Sequence, residues 1–204
     1  MLPILLALTV AGVGAVAASR GWERLQLRRR IADLKADAAQ IGNAHQFVRL
    51  GEMHRALGEW PDAARAFETA VAKDSESLAA RWGLAIARFK QHRYDEAETL
   101  LRTILVADPR YKFGDVSLLL AKTLAAVGKP VETITHLQTH IRKWRQPEAM
   151  FLLASAQREL GEADAAAATL DEMLLDFSRG AVPVWDAVPW RFRAARLRRE
   201  LRRT

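Results

Sequence analysis

The chain has 204 residues, 50% of them hydrophobic and none of them cysteine, which excludes a disordered chain, disulfide bonds, thiolate metal sites and cysteine nucleophiles. This length leaves room for one domain of ordinary size plus an anchor or tail. The formal net charge of +7 is concentrated in residues 20–35 and 186–204, whereas a folded body that binds nucleic acid usually carries the positive charge itself.

The N-terminal segment, residues 1–19, contains no charged side chain. A helix of that length is enough to cross a hydrocarbon core of about 30 Å, and Trp22 follows it where an indole favours the membrane interface. The sequence therefore predicts a transmembrane anchor over residues 1–19. A cleaved signal peptide is the alternative, because Ala15, Ala17 and Ala18 resemble a cleavage site, although no basic side chain precedes the apolar run.

A basic juxtamembrane segment, residues 20–43, is predicted to be helical. Its apolar residues recur at spacings of four, three, four and three and form one stripe, which comprises Leu27, Ile31, Leu34, Ala38 and Ile41. The stripe can pack as a lid on the body or pair with a second copy, and its short length favours the lid. By the positive-inside rule, the arginines of this segment place the rest of the chain in the cytoplasm.

The body repeats itself. Similar stretches begin at Leu50, Leu84, Leu120 and Leu153, at offsets of 34, 36 and 33 residues, and a fixed period of this size indicates a repeat architecture. A small residue recurs one position later, where two helices would cross closely: Gly51, Ala85, Ala121 and Ala154. Turn glycines follow at Gly58, Gly128 and Gly161, where a helix end favours a left-handed residue.

This pattern resembles the tetratricopeptide repeat family, whose unit is a pair of antiparallel helices. The resemblance covers residues 44–177 as units 44–77, 78–111, 114–146 and 147–177. It departs from the family at three places: Arg88 and Gln157 replace aromatic residues, and Thr133 replaces a packing alanine. The resemblance implies an all-α fold, a right-handed α-solenoid of about four helix hairpins with an N-terminal transmembrane helix and a C-terminal capping helix.

The order of these parts is similar to that of small bacterial membrane-anchored repeat proteins. The shared features are the apolar anchor, the four units, the stretch from Tyr111 to Asp115 and a terminal helix rich in tryptophan and arginine. This resemblance implies an architecture but no activity. It places the predicted anchor as a single pass through the bacterial inner membrane.

The C-terminal part is predicted to be a loop over residues 178–188 and a basic helix over residues 189–204. Trp190, Ala194, Leu197 and Leu201 share one apolar face of that helix. The favoured interpretation is a cap on the last repeat, with contact to anionic lipid as a compatible alternative and RNA as a weaker one. The candidate lipid contacts are Arg24, Arg28, Arg29, Arg30, Arg198, Arg199, Arg202 and Arg203.

No set of residues points to a reaction. His136 and His140 have the i, i+4 spacing of a metal pair, but Leu137 stands where a metalloprotease carries glutamate. The sequence has no phosphate-binding glycine loop and no nucleophile elbow. We therefore predict a protein that is not an enzyme, with no catalytic residue, cofactor or metal.

The resemblance implies that a peptide binds in a concave groove formed by the first helix of each unit. Trp82, Ile86 and Phe89 form an apolar ridge there, although they could instead pack only against the next unit. No groove position is asparagine, so the carboxylate clamp of the chaperone-binding branch is not expected. The predicted groove comprises Val48, Arg55, Trp82, Ile86, Phe89, Lys90, Leu118, Lys122, Phe151 and Arg158.

The sequence therefore predicts a membrane-tethered scaffold or adaptor that binds a protein partner. A homo-oligomer or assembly factor that acts through the anchor and the juxtamembrane helix is one alternative. A secreted or periplasmic repeat protein is the other, and it requires cleavage of the N-terminal segment. The partner, the pathway and the oligomeric state are not fixed by the sequence.

Overall fold

A computed structural model describes residues 21–38, 42–180 and 183–202 of the chain. The regular elements in these ranges are all helical, which confirms the predicted all-α class for them. Helix α1 covers residues 21–38. The others are α2 (Ala44–Leu57), α3 (Trp60–Lys73), α4 (Leu78–Lys90), α5 (Tyr94–Ala107), a 3₁₀ turn (Tyr111–Gly114), α6 (Asp115–Ala126), α7 (Pro130–Lys143), α8 (Pro147–Glu159), α9 (Ala163–Ser178) and α10 (Val184–Leu201).

Capping residues mark where the helices begin and end. Asn43 caps α2 through its side chain, and Gln46 returns the bond to the Asn43 backbone to complete a capping box. Gly58 ends the same helix with φ +76°, and Gly128 has φ +78° at the turn between α6 and α7. These left-handed conformations confirm the predicted turn glycines.

The chain divides between Gln91 and His92 into two compact units. The first unit holds α1 to α4, and its largest buried side chain is Phe67 of α3, which has no exposed surface. A Cβ added to Gly51 of α2 would lie 2.7 Å from the Phe67 ring, and one added to Gly83 of α4 would lie closer still. The two glycines thus allow α2 and α4 to approach the same edge atoms, Cδ1, Cε1 and Cζ, of one aromatic ring.

Helix α1 packs on the first helix pair. Ile31 and Leu34 of the predicted apolar stripe are buried together with Leu50 and Ala66, as the lid interpretation requires. Because these side chains are covered within the chain, they do not offer a free surface to a second copy. Ile41, the last predicted member of the stripe, lies outside the described residues.

The second unit holds α5 to α10, and one hydrophobic core joins α6 to α10. This core combines leucines of successive helices, such as Leu137 and Leu170, with Ala187, Ala194 and Leu197 of α10. Helix α10 contacts both α8 and α9. It begins at Val184, earlier than the predicted start at Pro189, so the predicted loop over residues 178–188 is shorter than expected. Pro189 lies inside the helix, where it removes one backbone hydrogen bond and crowds the preceding turn, but the helix has already begun before it, since Ala187 N–H donates to Pro183 O at 3.0 Å.

Polar side chains replace the expected aromatic residue of the repeat and are buried with partners. His54 lies 2.7 Å from a Glu59 carboxylate oxygen, and Arg88 pairs with Glu68 of the preceding helix. Gln157 accepts a hydrogen bond of 2.8 Å from the Thr169 hydroxyl. These departures from the family pattern are therefore tolerated, because each buried polar group has a partner.

None of the helices in the described ranges is long and apolar enough to span a membrane. The predicted anchor, residues 1–19, lies outside those ranges.

The packing of Phe67 predicts a cost for a single added methyl group. We expect Gly83→Ala to lower the free energy of unfolding by about 1–3 kcal/mol, because the fully buried ring cannot move away from the new Cβ. Urea denaturation of the full chain measures this change. The control is Gly21→Ala, at a helical glycine with nothing within 4 Å. Equal effects of the two substitutions would contradict the proposed packing.

Candidate functional site

The predicted groove residues of the first unit lie on two neighbouring helices, α2 and α4, which contact each other. Trp82, Ile86 and Phe89 of α4 are half-buried, as is Val48 of α2. Spacings of four and three place the three α4 residues on one face of the helix. They therefore combine an apolar character with accessible surface, which a peptide-binding ridge needs.

The cations predicted beside this ridge already have partners. Arg55 Nε lies 2.8 Å from Glu52 Oε2 on the same helix. Lys90 Nζ lies 5.9 Å from the centre of the Trp60 ring, above a side chain of α3. The ridge is thus bordered by an exposed ion pair on α2 rather than by unpaired positive charge.

The structure separates the predicted groove residues of the second unit. Leu118 of α6 retains only 7% exposure and belongs to the hydrophobic core, so it offers no surface to a ligand. Lys122 of α6 pairs with Glu148 of α8 at 2.7 Å. Its burial in the core that α6 shares with α7 to α10 argues against Leu118 as a groove contact.

Helix α10 contacts the two predicted groove residues of α8. The rings of Phe151 and Trp190 have centroids 5.7 Å apart, and Arg158 Nη1 lies 2.5 Å from Glu200 Oε2. A cavity of about 320 Å³ remains beside them. Its lining comprises Phe151, Ser155, Arg158, Arg193, Arg196, Leu197 and Glu200. These contacts place α10, rather than open solvent, over this end of α8.

The predicted lipid-contacting arginines differ in whether they form ion pairs with carboxylates of the chain. Arg24, Arg29 and Arg30 are exposed on α1, and Arg199 and Arg202 are exposed at the end of α10. Arg28 lies 3.6 Å from Glu59, and Arg198 lies 2.8 Å from Asp171. The last predicted contact, Arg203, lies outside the described residues.

One cluster near the first turn has residue types that can bind metals. His54, Glu59 and Asp62 can each place one ligand atom within 4.8 Å of the others. Their groups already have other roles: Glu59 pairs with His54 and Arg28, and Asp62 pairs with Arg65. The ion pairs of the cluster therefore stabilise the turn between α2 and α3. The absence of a metal site remains a prediction.

The histidine pair of α7 forms a hydrogen-bond network with α6. His136 Nε2 lies 2.9 Å from Ser117 Oγ and 3.0 Å from the Ser117 carbonyl oxygen. His140 Nδ1 lies 3.0 Å from the same hydroxyl, and His140 Nε2 lies 3.0 Å from Gln146 Oε1. All these groups are satisfied when His136 donates to Ser117, Ser117 donates to His140, and His140 donates to Gln146.

Burial lowers the pKa of both imidazoles of this network. Desolvation lowers the pKa of His136, partly opposed by its hydrogen bond with the Ser117 backbone. Desolvation likewise lowers the pKa of His140, partly opposed by its bond with Gln146 and reinforced by the nearby His136. With both nitrogens of His140 engaged, the pair is a structural network rather than a metal site. The i, i+4 spacing is visible in the sequence, but Ser117 could not be identified from it.

Comparison with known proteins gives a family and a fold. The sequence model of the tetratricopeptide repeat matches residues 48–112 and 118–182. No protein of curated function matches the chain in sequence.

Several solved structures share the fold. A crystal structure of the MamA protein is 20% identical with a TM-score of 0.72, over 78% of this chain and 90% of that one. MamA from Desulfovibrio magneticus RS-1 is 15% identical with a TM-score of 0.71, over 79% and 91%. YrrB, described as a repeat protein with an unusual peptide-binding site, is 17% identical with a TM-score of 0.60, over 80% and 90%. At these identities the likeness concerns the fold alone.

The histidine network predicts that acid destabilises the fold. Because the folded state lowers both pKa values, the unfolded chain binds more protons as the pH falls through the ordinary histidine range near 6.5. We expect the free energy of unfolding to decrease between about pH 7 and pH 5. Urea denaturation at both pH values measures this difference, which His136→Gln with His140→Gln should reduce. The exposed-site control, His45→Gln, should leave it unchanged, and an unchanged difference in the double variant would contradict the prediction.

Proposed function

Because the chain belongs to the tetratricopeptide repeat family, we propose that it is a non-catalytic adaptor that binds a protein partner through the first helices of its repeats. The observation that carries this proposal is the half-buried ridge of Trp82, Ile86 and Phe89 on α4. Large aromatic residues that keep part of their surface accessible are the typical anchors of a peptide-binding site. The peptide-binding site described for YrrB supports the same use of this fold.

The proposed binding surface is restricted to residues that remain accessible in the first unit. Val48 and Arg55 lie on α2, the helix that contacts α4. An apolar ridge next to an exposed ion pair suits an extended or amphipathic peptide, whose apolar side chains can bury against the ridge while its polar groups stay hydrated. The second-unit residues are left out of this surface, since Leu118 is buried, Lys122 pairs with Glu148, and α10 contacts Phe151 and Arg158.

Removal of the ridge should abolish peptide capture. We expect peptides selected by display on the full chain to bind Trp82→Ala with Phe89→Ala at least about tenfold more weakly, because anchor residues dominate binding energy. Fluorescence anisotropy with the selected peptides measures the change, and circular dichroism verifies that the fold persists. The matched control is Val106→Ala with Val131→Ala, at apolar residues that are 86% and 64% exposed on second helices. Equal affinities for both variants would exclude this surface.

The second part of the proposal is a membrane tether. Residues 1–19 carry no charge, and the described chain continues with Trp22, which is 60% exposed at the beginning of α1. Exposed arginines follow on the same helix. An apolar segment followed by an interfacial tryptophan and cations favours a single pass through the bacterial inner membrane, with the repeats in the cytoplasm.

Helix α10 offers a surface that suits the same membrane. Trp185, Val188 and Phe192 are exposed and share one face, and the exposed Arg199 continues that face. Aromatic side chains next to arginines are typical of helices that lie on anionic lipid. We therefore include this outer face of α10, with the exposed arginines of α1, in the proposed membrane contact.

The absence of native cysteine allows a direct test of that face. We expect a Val188→Cys chain labelled with the fluorophore NBD to shift its emission to the blue in vesicles that contain phosphatidylglycerol, but not in neutral phosphatidylcholine vesicles. The matched control, Val106→Cys, should show no shift in either. A shift that does not depend on lipid charge would contradict the electrostatic contact. Flotation with the neutral vesicles reports separately on the tether of residues 1–19.

A further inference from the structure

The segment that joins α5 to α6 has an unusual backbone. It runs from residue 108 to residue 114, whereas residues 144–146 suffice between α7 and α8. Lys112 and Phe113 have φ values of +54° and +49°, and Gly114 follows at +98°. Left-handed conformations are unfavourable for residues that carry a Cβ, so two of them in succession need a compensating interaction.

Burial does not supply that compensation, because the Phe113 side chain is 87% exposed. The strained backbone instead holds an aromatic ring out in solvent, beside a cavity of about 530 Å³. This cavity, the loop pocket, is lined by Arg110, Phe113, Lys143 and Trp144. It lies on the segments that follow α5 and α7 and shares no residue with the proposed α2–α4 surface.

The loop pocket is positively charged. Arg110 and Lys143 are exposed, and neither forms an ion pair with a carboxylate in the part of the chain that the structure describes. Lys143 Nζ lies 5.8 Å from the centre of the Trp144 ring, so one cation already rests on the aromatic wall. Two cations that form no ion pair among the described residues, beside two aromatic side chains, favour a ligand that is both anionic and apolar.

The Trp144 side chain, one wall of the pocket, packs against Gly114 and His140. A Cβ on Gly114 would lie 2.7 Å from Trp144 Cδ2, so only glycine allows the indole to approach the backbone so closely. The His140 and Trp144 ring centroids are 5.3 Å apart. His140 is in turn fixed by its hydrogen bonds to Ser117 and Gln146. The pocket therefore has one rigid aromatic wall, Trp144, and one aromatic side chain, Phe113, that is exposed to solvent.

From these observations we infer that the loop pocket binds an acidic peptide segment. A carboxylate of the peptide lies between Arg110 and Lys143, and an adjacent aromatic or large aliphatic side chain packs against Trp144 and Phe113. Covering Phe113 supplies the apolar burial that the strained backbone lacks in the free chain. The inference shares with the proposed adaptor function only the chemical class of the ligand, since the two surfaces are separate.

A randomised hexapeptide display on the full chain tests this inference. We expect one class of selected peptides to combine Asp or Glu with an aromatic residue. Its Kd should rise at least tenfold in the Arg110→Ala, Lys143→Ala double variant and stay unchanged in Trp82→Ala with Phe89→Ala. The control is Arg142→Ala, which removes the exposed cation next to Lys143 but outside the pocket lining, and it should also leave the Kd unchanged.

A second variant separates binding from folding. Phe113→Gly removes the aromatic contact but accepts a positive φ freely, so we expect at least fivefold weaker peptide binding together with a higher urea midpoint. Selection without acidic peptides, or acidic peptides that bind the double variant equally well, would overturn the inference. Full competition by millimolar inorganic phosphate or ATP would also overturn it, in favour of a small-anion site. If only the peptides selected for the α2–α4 surface fail to bind, the adaptor proposal is contradicted and the inference about the loop pocket is not.

Discussion

The ring of Phe67 determines how the helices of the first unit meet. It is fully buried, and Gly51 and Gly83 contact it from α2 and α4 without a side chain of their own. Close packing leaves no space for a larger residue at either position. Because both first helices are fitted to this one side chain of α3, they become neighbours. The ridge of Trp82, Ile86 and Phe89 therefore lies next to α2, as the proposed binding surface requires.

The second unit meets the same requirement with different residues. Ala121 and Ala154 have no exposed surface and replace the close-approach glycine, while Leu137 and Leu170 fill the core between the helices. Between α6 and α7, the contact is partly polar, through Ser117 and the two histidines. A polar contact is directional, so it fixes the orientation of His140 and, through it, of Trp144. Packing and hydrogen bonds thus connect the core of the repeats, through Ser117 and His140, to the Trp144 wall of the loop pocket.

Much of the fold was predictable from the sequence because the repeat fixes it locally. The turn glycines and the packing alanines follow from short-range patterns with a fixed period. Gly83 was missed because the family pattern directs attention to Ala85, two positions later. The start of α10 was missed because proline was taken as a boundary, whereas Pro189 lies inside the helix despite the backbone bond that it removes there.

The candidate sites were less predictable because they depend on tertiary contacts. The periodic pattern gives the face of a helix but not what covers it, so Phe151 and Arg158 were assigned to an open groove that α10 contacts. Ser117 is separated by 19 residues from His136, and nothing local marks them as partners. The loop pocket requires positive φ at Lys112 and Phe113, and neither residue type suggests such a conformation.

Helix α10 has two faces with different surroundings, and this difference bears on the proposed membrane contact. Its inner face, with Ala194 and Leu197, is buried against α8 and α9. Its outer face carries Trp185 and Phe192, exposed by 77% and 75%. Because the two faces are separate, lipid contact does not require α10 to leave its place on α8. Membrane binding in the proposed function therefore preserves the repeat core and the cavity beside Phe151 rather than competing with them.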